Sequence, residues 1–160
     1  MSLPLLAKQV GEQLAATGHI LATAESCTGG GIAQAITAVA GSSAWFDCGY
    51  VTYSNEAKHA MLGVKETTLI AHGAVSEAVV LEMACGAVQL SQATIGVSVS
   101  GIAGPGGGSD DKPVGTVWLA WNIENKATHT ACFQFSGDRE SVRNQAVIEA
   151  LKGVMKYSSS

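Results

Sequence analysis

Apolar residues recur at helical spacing through Leu5, Val10 and Leu14, and Gly18 follows as a stop, so the pattern predicts a helix over residues 3–17. His19–Ala24 is a short apolar run of the kind a buried strand shows. It breaks at Glu25-Ser26-Cys27-Thr28-Gly29-Gly30-Gly31, and IAQAITAV resumes a helical pattern. Trp45–Tyr53 predicts a second strand, rich in β-formers. Ser54 or Asn55 then caps a short helix, NEAKHAML, which Gly63 closes, and residues 65–71 form another helical turn. Ser76 caps a long helix to about Leu90, with Glu77 suiting the dipole of its first turn. Thr94–Ser100 is a third strand and opens into a glycine-rich stretch, 101–113. Val114–Asn122 and Ala127–Phe135, joined by a short polar link, predict an antiparallel hairpin. Gly137-Asp138 starts a last helix that runs to about Lys156, and residues 158–160 read as a frayed end.

Helices alternate with the early strands, and the late hairpin adds an antiparallel part. The expected architecture is α/β: a three-layer α/β/α sandwich on a mixed, mostly parallel sheet of about five strands. With 160 residues and no linker or repeat, the chain reads as a single domain over 1–160. In such sheets ligands bind at the carboxyl ends of the parallel strands. Three segments fall near such ends: Glu25–Gly31, Tyr53–Lys58 and Ser100–Gly108.

Composition narrows the function classes. Hydrophobic residues make up 47% and charged residues 14%, which excludes a disordered tail or a charged coiled coil. So low a charged fraction points to a surface partly covered by a partner subunit, hence a homo-oligomer. Nine basic against thirteen acidic residues give a net charge of −4, which argues against a nucleic-acid-binding module but not against one small anionic ligand held by an arginine or two. Four scattered cysteines without a CxxC pair read as reduced thiols of a cytoplasmic protein. The apolar stretches fall short of the ~20 residues that span a bilayer, so no membrane partner is expected.

Ser26 sits between a strand and a helix start, beside backbone N–H groups without helical partners. Such donors serve the oxyanion of a tetrahedral intermediate or a phosphate, or they simply cap the helix. A serine nucleophile needs a base. Lys58 follows the strand that ends at Tyr53 and can reach the same rim, acting as base where desolvation lowers its pKa; taken alone it is a solvated helix lysine. Ser98 and Ser100 share one face of the third strand, and five glycines between 101 and 108 permit close approach of a ligand, or form a flexible crossing. Arg139 and Arg143 lie one turn apart at the start of the last helix, where positive charge opposes the dipole. An anion there explains the placement; pairing with Glu140 or Asp138 explains it equally. Cys27 reads as a buried small hydrophobe, and Trp118 and Trp121, three apart on the hairpin, face opposite sides in packing roles.

TAESCTGG (23–30), YSNEAK (53–58) with LGV (62–64), GAVSEAVVLEMACGA (73–87), SGIAGPGGG with KPVGTV (100–117) and GDRESVR (137–143) occur in that order. With these five motifs, which span nearly the whole chain, the sequence resembles the CinA C-terminal domain family, whose stand-alone members are nicotinamide-nucleotide amidases, also called NMN deamidases. The resemblance implies hydrolysis of the carboxamide of nicotinamide mononucleotide to nicotinate mononucleotide and ammonia, in pyridine-nucleotide salvage. It implies a serine nucleophile, matched by Ser26, and a lysine base, matched by Lys58, with Tyr53 and Asn55 of the second motif positioning lysine or substrate. Arg139 matches an anion-binding arginine for the phosphate, and Thr28, Gly29, Gly30, Ser100 and Gly101 fall in substrate-binding motifs. No metal and no cofactor are called for, and no activity of the long N-terminal domain of some relatives is expected. Two other readings stay open: a nucleotide-binding relative without turnover, and a phosphatase or nucleotide hydrolase. The absence of a Walker lysine-serine pair and of clustered carboxylates weakens the latter.

Overall fold

The computed structural model describes residues 1–159. The elements run α1 (Leu3–Thr17), β1 (Leu21–Glu25), α2 (Gly31–Thr37), β2 (Phe46–Val51), α3 (Asn55–Leu62), α4 (Glu66–His72), α5 (Glu77–Gln89), β3 (Ile95–Gly101), β4 (Thr116–Ile123), β5 (Thr128–Gln134) and α6 (Arg139–Tyr157). A short 3₁₀ turn, Ser42–Ala44, precedes β2 and was not marked by any periodicity.

The expected stops and starts are where side-chain chemistry places them. Ser54, Ser76 and Asp138 accept hydrogen bonds from the backbone of Ala57, Val79 and Ser141 at the starts of α3, α5 and α6. Gly18 and Gly63 close α1 and α3 in the left-handed conformation that glycine adopts without steric penalty.

The strands form one sheet in the order β2-β1-β3-β4-β5. β1 pairs in parallel with β2 and β3, while β4 is antiparallel to both β3 and β5. Four strands therefore point one way and only β4 is reversed, although the pairings divide evenly between the two kinds. Every residue of β1 is buried, as a central strand covered on both faces requires.

Two apolar clusters complete the three layers. On one face α1, α2 and α6 pack Val10, Leu14, Ile36 and Leu151 against Ile95, Val97 and Leu119. On the other, Leu62, Leu69, Val80 and Met83 from α3, α4 and α5 cover Ala22, Ala24 and Ala120. The small residues of β1 and β4 on the second face let α5 lie close to the sheet. Trp121 joins the first cluster and Trp118 packs against the second, as their spacing predicts.

The frayed end expected at 158–160 is corrected at its first residue. Ser158 is fully buried; its N–H donates to Val154 O and its hydroxyl accepts from Gln13 Nε2 at 2.8 Å. That hydroxyl ties the C-terminus to α1, a long-range contact that no local pattern announces. Ser159 is exposed, and Ser160 lies outside the described residues.

Candidate active site

β1 delivers Ser26 to the carboxyl end of the sheet, between β2 and β3. The Ser26 N–H donates to Val99 O of β3, and Thr52 N–H donates to Glu25 O from the β2 side. Alternation along the strand then separates neighbours. Cys27 belongs to the cluster on the α1/α2/α6 face, whereas Ser26 meets α3 on the other. Burial pushes the Cys27 thiol up to about 11, so it stays protonated and uncharged near neutral pH. The reading of Cys27 as a small hydrophobe agrees with this placement.

Lys58 extends from α3 until its Nζ lies 2.9 Å from Ser26 Oγ, 2.8 Å from Thr52 O and 3.5 Å from Tyr53 O. The lysine is 1% exposed and the serine 8%. Burial lowers the lysine's pKa from 10.5 by disfavouring the ammonium form. No carboxylate forms an ion pair with it among the described residues. A neutral amine has two N–H donors and one lone pair. The two carbonyls accept only, so they match the donors, and the lone pair is left to the one neighbour that carries a proton, Ser26.

The nearest buried carboxylate, Glu25, is committed elsewhere. Its oxygens accept from Thr28 Oγ1 (2.6 Å), Ile32 N–H (2.9 Å) and Ala33 N–H (3.0 Å). This clamp holds the Ser26 turn against the start of α2. Thr28 therefore serves the turn through its hydroxyl, and Arg143 reinforces it by donating to Cys27 O (3.0 Å) and Thr28 O (3.3 Å). The turn also uses two of its own amides: Gly29 N–H donates to Ser26 O and Gly31 N–H to Thr28 O. The amides of Thr28 and Gly30 donate to nothing among the described residues, and that of Cys27 meets only its own thiol. Gly29 and Gly30 hold positive φ of 59° and 100°, which bend the chain into the helix.

The remaining expected residues divide between this centre and its rim. Ser100, buried on β3, sits beside Ser26 across the β1–β3 ladder. At Gly101 β4 approaches closely: a Cβ there would stand 2.6 Å from Val117 Cγ2, so packing accounts for the glycine. Arg139 donates to Gly104 O at 2.9 Å and to Tyr53 Oη at 3.0 Å. It thereby links the segments that follow β3 and β2, across the end of β1 that carries Ser26. Of its five N–H donors, three remain for a ligand. Tyr53 thus meets Lys58 through its carbonyl and Arg139 through its phenol. Asn55 stands apart, exposed on α3 and lining a groove with His59, Glu66, Leu69 and Ile70. Neither arginine pairs with Glu140 or Asp138.

The CinA C-terminal domain family matches residues 4–158. The chain belongs to that family. It is 58% identical over 147 residues to a nicotinamide-nucleotide amidohydrolase of Escherichia coli K12, covering 92% of this chain and 89% of the relative. Its identity to the nicotinamide-nucleotide amidohydrolase of Pseudomonas putida is 55% over 154 residues, with 96% of each chain covered. A solved CinA-superfamily protein from Klebsiella pneumoniae superposes with a TM-score of 0.95 at 44% identity, covering 99% of both chains. A competence/damage-inducible protein from Agrobacterium tumefaciens gives 0.94 at 44% identity, over 98% of both.

Membership in the CinA family accounts for the fold, and the geometry adds one residue to those expected and gives another a different role. Glu25 and Arg143 build the serine turn from either side. The signal for Glu25 was a carboxylate at the end of a mostly apolar strand, with α2 starting six residues on. Arg143 was expected to meet an anion or to pair with Glu140 or Asp138; it donates instead to backbone carbonyls 115 and 116 residues away. No helix of the described residues is long and apolar enough to cross a membrane.

Proposed function

We propose that this chain hydrolyses the carboxamide of nicotinamide mononucleotide to nicotinate mononucleotide and ammonia, with Ser26 as nucleophile and Lys58 as general base. The observation that carries the reading is the 2.9 Å approach of a buried lysine amine to Ser26 Oγ with no acid to hold the lysine charged. The high identity to two nicotinamide-nucleotide amidohydrolases supports the substrate.

In this mechanism the lone pair of Lys58 takes the hydroxyl proton while Oγ attacks the carboxamide carbon. The oxyanion that forms is met by the amides of Cys27 and Thr28, the first of them adjacent to the nucleophile; each such donor contributes about 3 kcal/mol. Lys58 returns the proton to the departing nitrogen, which leaves as ammonia, and an ester to Ser26 remains. Water attacks that ester, Lys58 accepts its proton, and the alkoxide of Ser26 is reprotonated as the carboxylate departs. Arg139, with three free donors at the rim, binds the phosphate, and Ser100 borders the carboxamide. We read the reaction as a step of pyridine-nucleotide salvage in the cytoplasm. The exposed Ile70, Leu90 and Met61, with so few surface charges, support self-association, which sedimentation would test.

Purified wild type incubated with nicotinamide mononucleotide should yield the acid, seen by mass spectrometry, and equimolar ammonia. Ser26→Ala should yield neither while keeping the wild-type melting temperature. Wild-type turnover retained by Ser26→Ala would refute the nucleophile.

A further inference from the structure

Trp118 is one of three tryptophans and the only one not buried. Trp45 and Trp121 lie in the cluster on the α1/α2/α6 face, 6% and 3% exposed, and Trp121 Nε1 donates to Ala150 O at 3.0 Å. Trp118 is half-buried on the opposite face, against the cluster that holds Ala22, Ala24 and Met83. That is the face on which Ser26 meets Lys58.

The register brings the indole into the same row as the reacting groups. Trp118 of β4 pairs with Ser100 of β3, and Ser100 lies next to Ser26 across the neighbouring ladder. Ser98, two residues before Ser100, turns its hydroxyl to Val80 O of α5, which fixes that side of β3 as the α5 side. α5 itself stops short of the row. Its first residue, Glu77, accepts from Thr130 Oγ1 at 2.6 Å, and Thr130 pairs with Ala120, one same-face step below Trp118. The helix therefore covers Ala120, and Trp118, one same-face step beyond, is only half-buried. Two strand spacings, roughly 10 Å, separate the Trp118 and Ser26 backbones. Ser100 stands between them, and an aromatic ring whose carboxamide rested on Ser26 would extend over it toward the indole.

We infer that Trp118 is the platform for the substrate's ring and selects rings that carry a positive charge. The inference rests on the amidase reading above and adds the group that holds the aromatic ring on the acyl side of the scissile bond. A nicotinamide alkylated on its ring nitrogen has a fixed positive charge, and the indole face is the strongest cation–π partner among side chains. Free nicotinamide is neutral and lacks that attraction. Near the platform, Lys58 is driven toward its neutral form, and the acidic groups Glu25 and Glu77 are both engaged in hydrogen bonds. Trp118 is a binding and positioning residue in this account; it takes no proton and forms no bond.

The test uses the whole chain, with Trp118→Leu and Trp118→Phe beside wild type. Ammonia release is measured with nicotinamide mononucleotide, and tryptophan fluorescence is titrated with 1-methylnicotinamide, the cation methylated on the ring nitrogen, and, separately, with nicotinamide. Trp118→Leu should raise KM about tenfold with kcat little changed, and Trp118→Phe should recover part of the loss. 1-Methylnicotinamide should quench wild-type fluorescence saturably, nicotinamide should do so far less, and Trp118→Phe should lose the saturable component. Variants that melt with wild type yet keep its KM and its saturable quenching would overturn the platform and leave the amidase standing. Failure of the wild type to release ammonia would overturn both.

Discussion

Glu25 and Lys58 are withdrawn from water to the same degree, at 0% and 1% exposure, and they lie at the same end of the sheet. Their surroundings differ in kind. Three donors, two of them from the start of α2, surround the Glu25 carboxylate, so the charge lost from water is replaced by fixed dipoles. Lys58 has two carbonyls and a hydroxyl, enough for an amine but poor compensation for an ammonium. Burial of a satisfied charge builds a scaffold, and burial of an unsatisfied one builds a reactive group. The first holds the serine in place, and in the proposed mechanism the second takes its proton.

The largest effect expected from breaking this contrast is at Lys58. Lys58→Met removes the proposed base and should lower kcat by about 10³-fold or more, as loss of a positioned general base does. The same change should raise stability. With its native pKa depressed below 10.5, Lys58 binds fewer protons folded than unfolded between those values, so wild-type stability rises with pH across that window and is lower on its acid side. Lys58→Met should abolish that slope and melt above wild type at neutral pH, as calorimetry across the alkaline range would show. In wild type, kcat/KM should climb with pH along a limb set below the ordinary lysine value. A variant less stable than wild type would mean that the lysine is a compensated structural cation.

Glu25→Gln reverses the experiment on the other partner. A glutamine keeps the shape but turns its N–H₂ toward a backbone amide that is itself a donor, Ile32 N–H or Ala33 N–H, whichever oxygen it replaces. Loss of about 2–3 kcal/mol is expected, read from urea denaturation, since hydrogen bonds to charged groups carry that weight. Activity should fall because the serine turn loosens, with the pH limb unmoved. A shifted limb would show instead that Glu25 acts on the lysine directly.

The contrast also marks what could be read from the sequence alone. Element order, both serine caps, the glycine stops and the opposite facing of Trp118 and Trp121 follow from local periodicity, and they came through in the structure. Ser26 and Lys58 stood out singly, each with an ordinary alternative, and the motifs of a known family joined them. What stayed hidden depends on distant backbone: Arg143 on the carbonyls of Cys27 and Thr28, Ser158 on Gln13, and the carbonyl of Thr52 on Lys58. A main-chain acceptor has no residue type, so no motif records it. Gly101 shows the converse, since a glycine in a ligand-binding motif is required by the approach of Val117.

The smallest of these effects is expected at Arg139, which belongs to neither buried group. It is exposed, and its two hydrogen bonds, to Gly104 O and Tyr53 Oη, join the segments on either side of Ser26. Arg139→Ala removes the proposed phosphate partner and this link together, and the two roles separate by substrate. If the guanidinium binds phosphate, kcat/KM for the mononucleotide should drop about tenfold, mostly through KM, as loss of a rim charge-assisted contact does. The riboside, which lacks the phosphate, should then be hydrolysed by variant and wild type alike. Equal losses for both substrates would assign Arg139 to holding Tyr53 and Gly104 in place. The reactive pair beneath would then depend on a neutral strap, with the substrate's phosphate held elsewhere on the rim.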